Sequence, residues 1–220
     1  MKAVKRVEGV AAPFPQADID TDAMIPQRWL VTTTRTGLGA GLFGNWRYHG
    51  QTLDPDPQFV LNRPEYRRAK IIVAGPNYGC GSSREHAVWA HLNFGIAAVV
   101  APSFGPIFRD NALRNGLLLV ALPEPQVEAI LAWLSQDDRR RMSIDLETCL
   151  LTGPDGSRHR FSMDETSRSA LLAGRDEITA TLEYLDAIQM FHERDRAEKP
   201  FLWECEQAQI DRQAIGKPLL

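Results

Sequence analysis

Cysteine is scarce in this chain of 220 residues, which contains three cysteines, Cys80, Cys149 and Cys205. Their odd number and wide spacing argue against a disulfide framework as the basis of the fold. Metal and iron–sulfur sites held by one chain usually need closely spaced thiolates, such as a CxxC pair. The sequence therefore predicts that this chain by itself binds no metal and no iron–sulfur cluster.

Long apolar runs and an excess of basic residues are also lacking. No apolar run approaches the length of a membrane span, and the basic start MKAVKRVEGVAAPFP is not followed by the apolar core of a secretory signal. We therefore expect a cytoplasmic protein without a membrane partner. The net charge of −3 gives no indication of a nucleic-acid partner, since such partners favour a basic surface.

An alternation of strand and helix patterns begins at residue 69 and predicts an α/β fold. Continuous apolar runs indicate buried strands at 69–75, 96–101 and 117–122. Helical patterns lie between them at 84–94 and 103–115, and Gly95 and Gly116 stand at expected C-cap positions. This order predicts a mostly parallel central sheet with flanking helices.

The remainder of the chain gives weaker patterns. Helices are predicted at about 125–136 and 183–195, and a β-like stretch at 143–163 with a hairpin turn at 153–157. The Thr/Gly-rich segment 31–43 has little core-forming content, so we expect a mobile loop there. Residues 197–220 match no element and are interpreted as a tail, partly disordered or docked on a partner, after a domain spanning 1–196.

The acidic segment Asp18-Ile19-Asp20-Thr21-Asp22 places three carboxylates at alternating positions. In an extended chain they would share one side. The pattern looks like part of a calcium-binding EF-hand loop, but Ala23 and Trp29 stand where the required Gly and Glu would be. Calcium is therefore not expected, and a solvent-exposed acidic turn is the simpler interpretation of the segment alone.

The most informative segment is NYGCGSSREHA, residues 77–87, between a predicted buried strand and a predicted helix. Ligands of α/β proteins lie at this edge of the sheet. Gly79 and Gly81 allow a tight turn, Ser82 and Ser83 fall at the start of the helix as cap or first-turn residues, and Arg84 adds a guanidinium that can bind a carboxylate. A simple helix cap, a solvated Arg84 and a structural His86 remain the alternatives from local pattern alone.

These residues strongly resemble the isopropylmalate dehydratase small-subunit family, which is related to the swivelling domain of aconitases. The resemblance is carried by NYGCGSSREHA, and in the same order by DIDTDAMIPQRWL, RTGLGAGLF and APSFGPIFRDNALRNGLL, from about residue 7 to about residue 193. It implies an aconitase-type swivelling β/β/α domain. It also implies a hydro-lyase that isomerises 2-isopropylmalate and 3-isopropylmalate through 2-isopropylmaleate in leucine biosynthesis.

The resemblance further implies roles for individual residues. Ser82 would be the general base, and Asp22 would support the site by orienting Arg84. Ser83, Arg84, Gly81 and Arg28 would bind the substrate. A specificity loop would comprise Thr34, Arg35, Thr36, Gly37, Leu38 and Gly39.

The cofactor implied by the resemblance is a [4Fe–4S] cluster with an open iron, carried by a large iron–sulfur subunit in a heterodimer or larger complex. Related acids such as citramalate, dimethylmalate or homoaconitate are the alternative substrates. Two alternatives from other classes stay open at this point. One is a self-contained serine hydrolase using Ser82 and His86, although the G-x-S-x-G pattern is absent. The other is a non-catalytic module that binds a dicarboxylate at residues 79–84.

Overall fold

A computed structural model of the chain shows a mixed β-sheet flanked by α-helices. The structure describes residues 1–31, 34–50, 52–82, 84–136, 140–175 and 177–203. Contacts divide the chain into two compact units, Met1–Asp176 and Glu177–Leu220. The domain boundary predicted after residue 196, and the role predicted for the tail, stay predictions.

The strands are β1 (Arg6–Phe14), β2 (Ala69–Ala74), β3 (Ala98–Ala101), β4 (Leu118–Ala121), β5 (Arg141–Asp145), β6 (Leu150–Thr152) and β7 (Arg158–Arg160). The α-helices are α1 (Thr21–Met24), α2 (Gly44–Arg47), α3 (Glu85–Phe94), α4 (Pro106–Asn115), α5 (Glu124–Gln136), α6 (Glu165–Ala173), α7 (Glu177–Leu182) and α8 (Leu185–Glu198). Short 3-10 helices lie at Gln27–Trp29, Leu38–Gly41, Val60–Asn62 and Pro64–Tyr66.

In the described residues the strands form one seven-stranded sheet in the order β4-β3-β2-β1-β5-β6-β7. The neighbours from β4 to β1 pair in parallel, and those from β1 to β7 pair antiparallel. The α/β fold class is confirmed, with the parallel half built from the β2-α3-β3-α4-β4 sequence that the apolar runs predicted. The antiparallel half contains the hairpin predicted at 153–157.

Side chains of the parallel strands alternate between two cores on opposite faces of the sheet. In β2, Ile72 and Ala74 belong to the core beneath α3 and α4, whereas Ile71 and Val73 belong to the core covered by α5. Burial on both faces explains why β3, β4 and the part of β2 after Lys70 are apolar at every position rather than at every second one. The same arrangement directs the loops that follow β1, β2 and β3 to one edge of the sheet.

Both predicted helix C-caps are confirmed. Gly95 and Gly116 adopt φ values of 110° and 83°, and their N–H groups donate to the last turns of α3 and α4. A left-handed backbone at this position is favourable for glycine because it has no Cβ. The sequence therefore located the ends of the two helices that follow β2 and β3.

The expectation that residues 31–43 have little core-forming content is wrong for the second half of the segment. Leu38, Leu42 and Phe43 are buried, and Phe43 stacks on Phe14 with ring centroids 4.7 Å apart. The glycines between them permit this packing, since a Cβ on Gly41 would lie 2.7 Å from the ring of Trp29. The Thr32 and Thr33 part of the segment lies outside the described residues.

The second unit is described through α7 and α8, and α8 confirms the helix predicted near 183–195. No residue of α8 is buried, and Met190 and Phe191 are 71% and 52% exposed. Among the described residues, no helix has the length and apolar character needed to cross a membrane.

Candidate active site

The loop after β2 is held in place by very close backbone packing. Gly79 has φ of 78°, and a Cβ there would lie 2.3 Å from Cγ of Phe108 in α4. A Cβ on Gly105 would lie 2.2 Å from the carbonyl oxygen of Gly79. The loops after β2 and β3 therefore approach each other more closely than any side chain would allow.

The acidic segment after β1 runs alongside this loop. The N–H of Asp18 donates to the Pro76 carbonyl at 3.0 Å, and the N–H of Gly79 donates to the Ile19 carbonyl at 2.8 Å. The N–H of Thr21 also donates to the Cys80 carbonyl, at 3.2 Å. These bonds bring Asp22 next to the start of α3.

The expectation that the three carboxylates of this segment share one side of an extended chain is wrong, because α1 begins at Thr21. Asp18 accepts a 2.7 Å hydrogen bond from Nδ2 of Asn77. Asp20 is the N-cap of α1, and its Oδ1 accepts from the N–H of Ala23 at 2.6 Å. Asp22 pairs with Arg84, whose Nη1 lies 2.9 Å from its Oδ1. The three side chains thus have three separate roles.

Arg84, rather than either serine, occupies the N-cap of α3. The predicted placement of Ser82 as a cap or first-turn residue is therefore wrong, because Ser82 lies before the cap. The same prediction for Ser83 falls outside the described residues. An arginine side chain has no acceptor for a helix N–H, and no side-chain cap bond forms at Arg84. The positive end of the helix dipole at this position favours an anion.

Ser82 is exposed at the end of the tight turn, directly after Gly81. Gly81 has φ of 85°, and the nearest atom to a Cβ there would be Cβ of Asp20, at 3.8 Å. Gly81 is thus required by its backbone conformation rather than by lack of space. The turn presents the Ser82 hydroxyl at the same edge of the sheet as Arg84 and Asp22.

A buried polar pair lies beneath this loop and was not predicted. Tyr78 Oη and His91 Nε2 are 2.7 Å apart, and His91 Nδ1 is 2.7 Å from the carbonyl oxygen of Ala87. The carbonyl can only accept, so Nδ1 carries the proton and Nε2 accepts from the tyrosine hydroxyl. Burial lowers the pKa of His91 from 6.5 to about 4, despite the opposing effect of the Ala87 bond, so the ring is neutral.

The remaining candidates near the loop have simpler environments. Burial raises the pKa of the Cys80 thiol, and the negative charges of Asp20 and Asp18 raise it further. His86 packs against Trp89 with ring centroids 4.7 Å apart. Cys80 and Cys149 form no disulfide, and the described part of the chain has no group of three or more His, Cys, Asp or Glu side chains that could hold a metal. These residues do not fit an iron–sulfur cluster.

The predicted substrate residues that precede this loop in the chain lie near α2 and α3. Arg28 Nη2 donates to the Gly44 carbonyl at 3.1 Å. Thr34 Oγ1 donates to the Thr36 carbonyl at 3.4 Å, and the guanidinium of Arg35 lies 5.2 Å from the ring centroid of Trp89. Leu38 donates its N–H to Asn93 Oδ1 at 3.3 Å. The predicted specificity loop therefore contacts α3, the helix that begins after Arg84.

Sequence reasoning missed Asp18, Asn77, Tyr78, His91 and Asn93 as residues that shape this site. Asp18 and Asn77 both adopt positive φ, at 53° and 58°. Asp and Asn tolerate that conformation better than other non-glycine residues, so their presence at loop positions is a weak signal. The bond between them joins residues 59 positions apart, which a local pattern does not contain.

Comparisons with known proteins show the family to which the chain is similar. Residues 1–125 match the family model of the aconitase C-terminal domain. The chain is 47% identical over 204 residues to 3-isopropylmalate dehydratase small subunit 1 of Bordetella pertussis, covering 92% of this chain and 100% of that protein. It is 45% identical to the 3-isopropylmalate dehydratase small subunit of Sinorhizobium fredii, covering 89% of this chain and 97% of that protein.

The structure resembles the crystal structure of 3-isopropylmalate dehydratase from Methanocaldococcus jannaschii. The TM-score is 0.60 at 27% identity, covering 86% of this chain and 99% of the other. The similarity thus extends over nearly the whole of each relative in sequence and in fold. The chain belongs to the 3-isopropylmalate dehydratase small-subunit family, whose characteristic fold is the aconitase C-terminal domain.

Proposed function

We propose that this chain is the small subunit of a 3-isopropylmalate dehydratase. Together with a large iron–sulfur subunit it isomerises 2-isopropylmalate and 3-isopropylmalate by dehydration to 2-isopropylmaleate and rehydration, in leucine biosynthesis. The observation that carries the proposal is the 47% identity over the full length of the Bordetella pertussis small subunit. The contacts at the start of α3 supply the chemistry that the reaction needs from this chain.

Ser82 is proposed as the general base. In the dehydration, its Oγ takes the proton from the substrate carbon that bears no hydroxyl and lies next to a carboxylate. In the rehydration it returns a proton to the neighbouring carbon. A serine hydroxyl is a weak base, so its alkoxide needs stabilisation by positive charge. The N-terminus of α3 and the guanidinium of Arg84 provide positive potential at this position.

Arg84 is proposed to bind the carboxylate next to the carbon that loses its proton. Negative charge moves towards this carboxylate as the C–H bond breaks, so a fixed cation there stabilises the transition state. Asp22 holds Nη1 of Arg84 at 2.9 Å, which limits the directions in which the guanidinium can point. The remaining N–H groups of the fork, the N–H groups around Gly81 and the predicted contact with Ser83 complete the proposed carboxylate site.

The departing hydroxyl group needs a Lewis acid, which a [4Fe–4S] cluster supplies in this family. The cysteines within the described ranges, Cys80 and Cys149, lie in separate loops and do not form such a site. We therefore propose that the cluster is bound by the large subunit. The complete active site would then form between the two chains, and the exposed Ser82, Arg84 and Asp22 would face the partner.

Substrate selection is proposed to depend on residues 34–39, with Arg28 as a further contact to the substrate. Thr34, Arg35, Thr36 and Gly37 are exposed, while Leu38 is buried against the core. The exposed part can contact a bound molecule, and the buried part fixes its position. The isopropyl group of the substrate is the portion that this segment would recognise.

Turnover of 2-isopropylmalate tests the proposal. The chain is assayed alone and after anaerobic mixing with a cluster-loaded large subunit, and the conjugated alkene is followed by ultraviolet absorbance. We expect activity only in the mixture, and a loss of about 10²–10⁴-fold in kcat for Ser82→Ala, the range typical of general-base removal.

Ser135→Ala is the matched control, because Ser135 is exposed on α5 and its hydroxyl donates to the Leu131 carbonyl of the same helix. It should retain wild-type activity. Turnover by the isolated chain, or a fully active Ser82→Ala complex, would contradict the proposal.

A further inference from the structure

We propose that Asn93 is a positioning residue that sets substrate selectivity by holding residues 35–38 against α3. The inference rests on the proposed function, because the selectivity in question is that between 2-isopropylmalate and smaller hydroxy acids. Asn93 lies in the last turn of α3, at the opposite end of the helix from Arg84.

Both ends of the Asn93 amide bind the backbone of the segment. Oδ1 accepts the N–H of Leu38 at 3.3 Å, and Nδ2 donates to the carbonyl of Arg35 at 3.0 Å. A backbone N–H can only donate and a carbonyl can only accept, so these two bonds also fix the orientation of the amide. One side chain thus closes the turn from Arg35 to Leu38 across its base.

Two further contacts keep the segment close to the helix. A Cβ on Gly39 would lie 2.7 Å from the backbone carbon of Asn93, so the chain passes directly over the end of α3. The guanidinium of Arg35 lies 5.2 Å from the ring centroid of Trp89, within the range of a cation–π contact. Leu38 is buried at 2% exposure and anchors the segment in the core.

Helix α3 connects the turn from Arg35 to Leu38 with the proposed carboxylate site at Arg84. Asn93 follows Arg84 by nine positions, which corresponds to about 13.5 Å along a helix axis, and Trp89 lies between them at about 8 Å from Arg84. A short helix is rigid, so α3 fixes the distance between the carboxylate-binding Arg84 and the turn from Arg35 to Leu38. A substrate held by Arg84 would meet this turn at a position determined by the Asn93 bonds.

Loss of the Asn93 amide should therefore lower the selectivity between the two substrates more than it lowers the rate of the chemical step. Without these two hydrogen bonds the turn can move away from α3. A pocket whose wall is mobile discriminates poorly between an isopropyl and a methyl group. A well-formed apolar pocket distinguishes substrates that differ by one methylene by roughly 10–200-fold. Ser82 and the Asp22–Arg84 pair lie outside the turn and keep their contacts.

The test compares kcat/KM for 2-isopropylmalate and citramalate in the reconstituted complex. We expect Asn93→Ala to reduce the ratio of the two values by about tenfold, chiefly through the KM for 2-isopropylmalate. Asn93→Asp keeps the acceptor for Leu38 but places a carboxylate against the Arg35 carbonyl, and should give an intermediate ratio. Asn45→Ala is the control, because Asn45 is an exposed asparagine in α2 outside the turn.

A second readout does not depend on turnover. Trypsin cleavage between Arg35 and Thr36 of the isolated full-length chain, followed by mass spectrometry, measures opening of the turn. We expect faster cleavage at this bond in Asn93→Ala than in wild type or Asn45→Ala, with unchanged cleavage at other sites in the same digest.

An equal loss of activity towards both acids, or unchanged cleavage after Arg35, would overturn the inference. A wild-type complex that turns over neither acid would contradict the proposed function, and the selectivity role of Asn93 would fall with it. The cleavage result would still decide whether Asn93 holds the turn, so the two failures are distinguishable.

Discussion

Arg84 and Asp22 are 62 positions apart in the chain and form an ion pair with 2.9 Å between Nη1 and Oδ1. Their side chains remain 48% and 69% exposed. An exposed pair of this kind contributes only about 0–1 kcal/mol to stability. The pair therefore contributes little to holding the fold together, which agrees with the proposal that Asp22 orients the guanidinium.

Substitution of Arg84 should affect activity and leave stability nearly unchanged. Arg84→Lys keeps the charge but loses the fork, and charge-assisted hydrogen bonds contribute about 1.5–3 kcal/mol. We expect kcat/KM for 2-isopropylmalate to fall by about 10–100-fold, while the free energy of unfolding changes by less than about 1 kcal/mol. Arg168→Lys, in the ion pair with Glu165 of α6, is the control and should retain activity.

Asp22→Asn tests the orientation itself. The amide can still accept a hydrogen bond from Arg84 but carries no charge, so the guanidinium is held less firmly. We expect a fall in kcat/KM of up to about tenfold, the equivalent of roughly 1.4 kcal/mol, smaller than that of Arg84→Lys. A steady-state assay of the reconstituted complex measures it. An unchanged kcat/KM would show that Arg84 needs no partner.

Gly79 and Gly81 should respond differently to alanine, although both have positive φ. At Gly79 the added Cβ would lie 2.3 Å from Cγ of Phe108, and the backbone of α4 or of the loop must move. At Gly81 there is room, so only the conformational cost of about 1–2 kcal/mol applies. Chemical denaturation should show a clearly larger loss for Gly79→Ala, and equal losses would contradict the role of packing.

The Tyr78–His91 pair should show strong coupling in a double-mutant cycle. Tyr78→Phe leaves Nε2 of His91 buried without a donor, and His91→Leu leaves the tyrosine hydroxyl buried without its acceptor. Each change should cost about 1–3 kcal/mol of unfolding free energy. The double variant should cost less than the sum, because both polar groups are then removed. Additive losses would show that the hydrogen bond contributes little.

Stability should also depend on pH through His91. Its pKa is about 4 in the folded chain and 6.5 when unperturbed, so the unfolded chain binds the proton first as the pH falls. The stability contributed by the neutral ring is present above pH 6.5 and is lost between 6.5 and about 4, by about 3 kcal/mol in all. Urea titrations across this range should give a steeper decline for wild type than for His91→Leu, and parallel curves would contradict it.

Local sequence determined the parallel half of the fold. The apolar runs of β2, β3 and β4 are continuous because both faces of the sheet are covered, and glycine after α3 and α4 fixes where those helices end. The loop from Asn77 to Arg84 was also recognisable from local sequence, because its glycines, serines and arginine lie within a few residues of one another. These features arise from bonding and burial within short stretches of chain.

Tertiary structure decided which of those residues meet and what surrounds them. The parallel register of β1 and β2 places residues 18–22 beside residues 76–80, and this contact brings Asp18 to Asn77 and Asp22 to Arg84. The burial of Leu38 and Phe43 and the neutral state of His91 depend on the same packing. A local pattern indicates which backbone conformations are favourable. Contacts between side chains that are 50 or more positions apart in the chain follow instead from the register of the sheet.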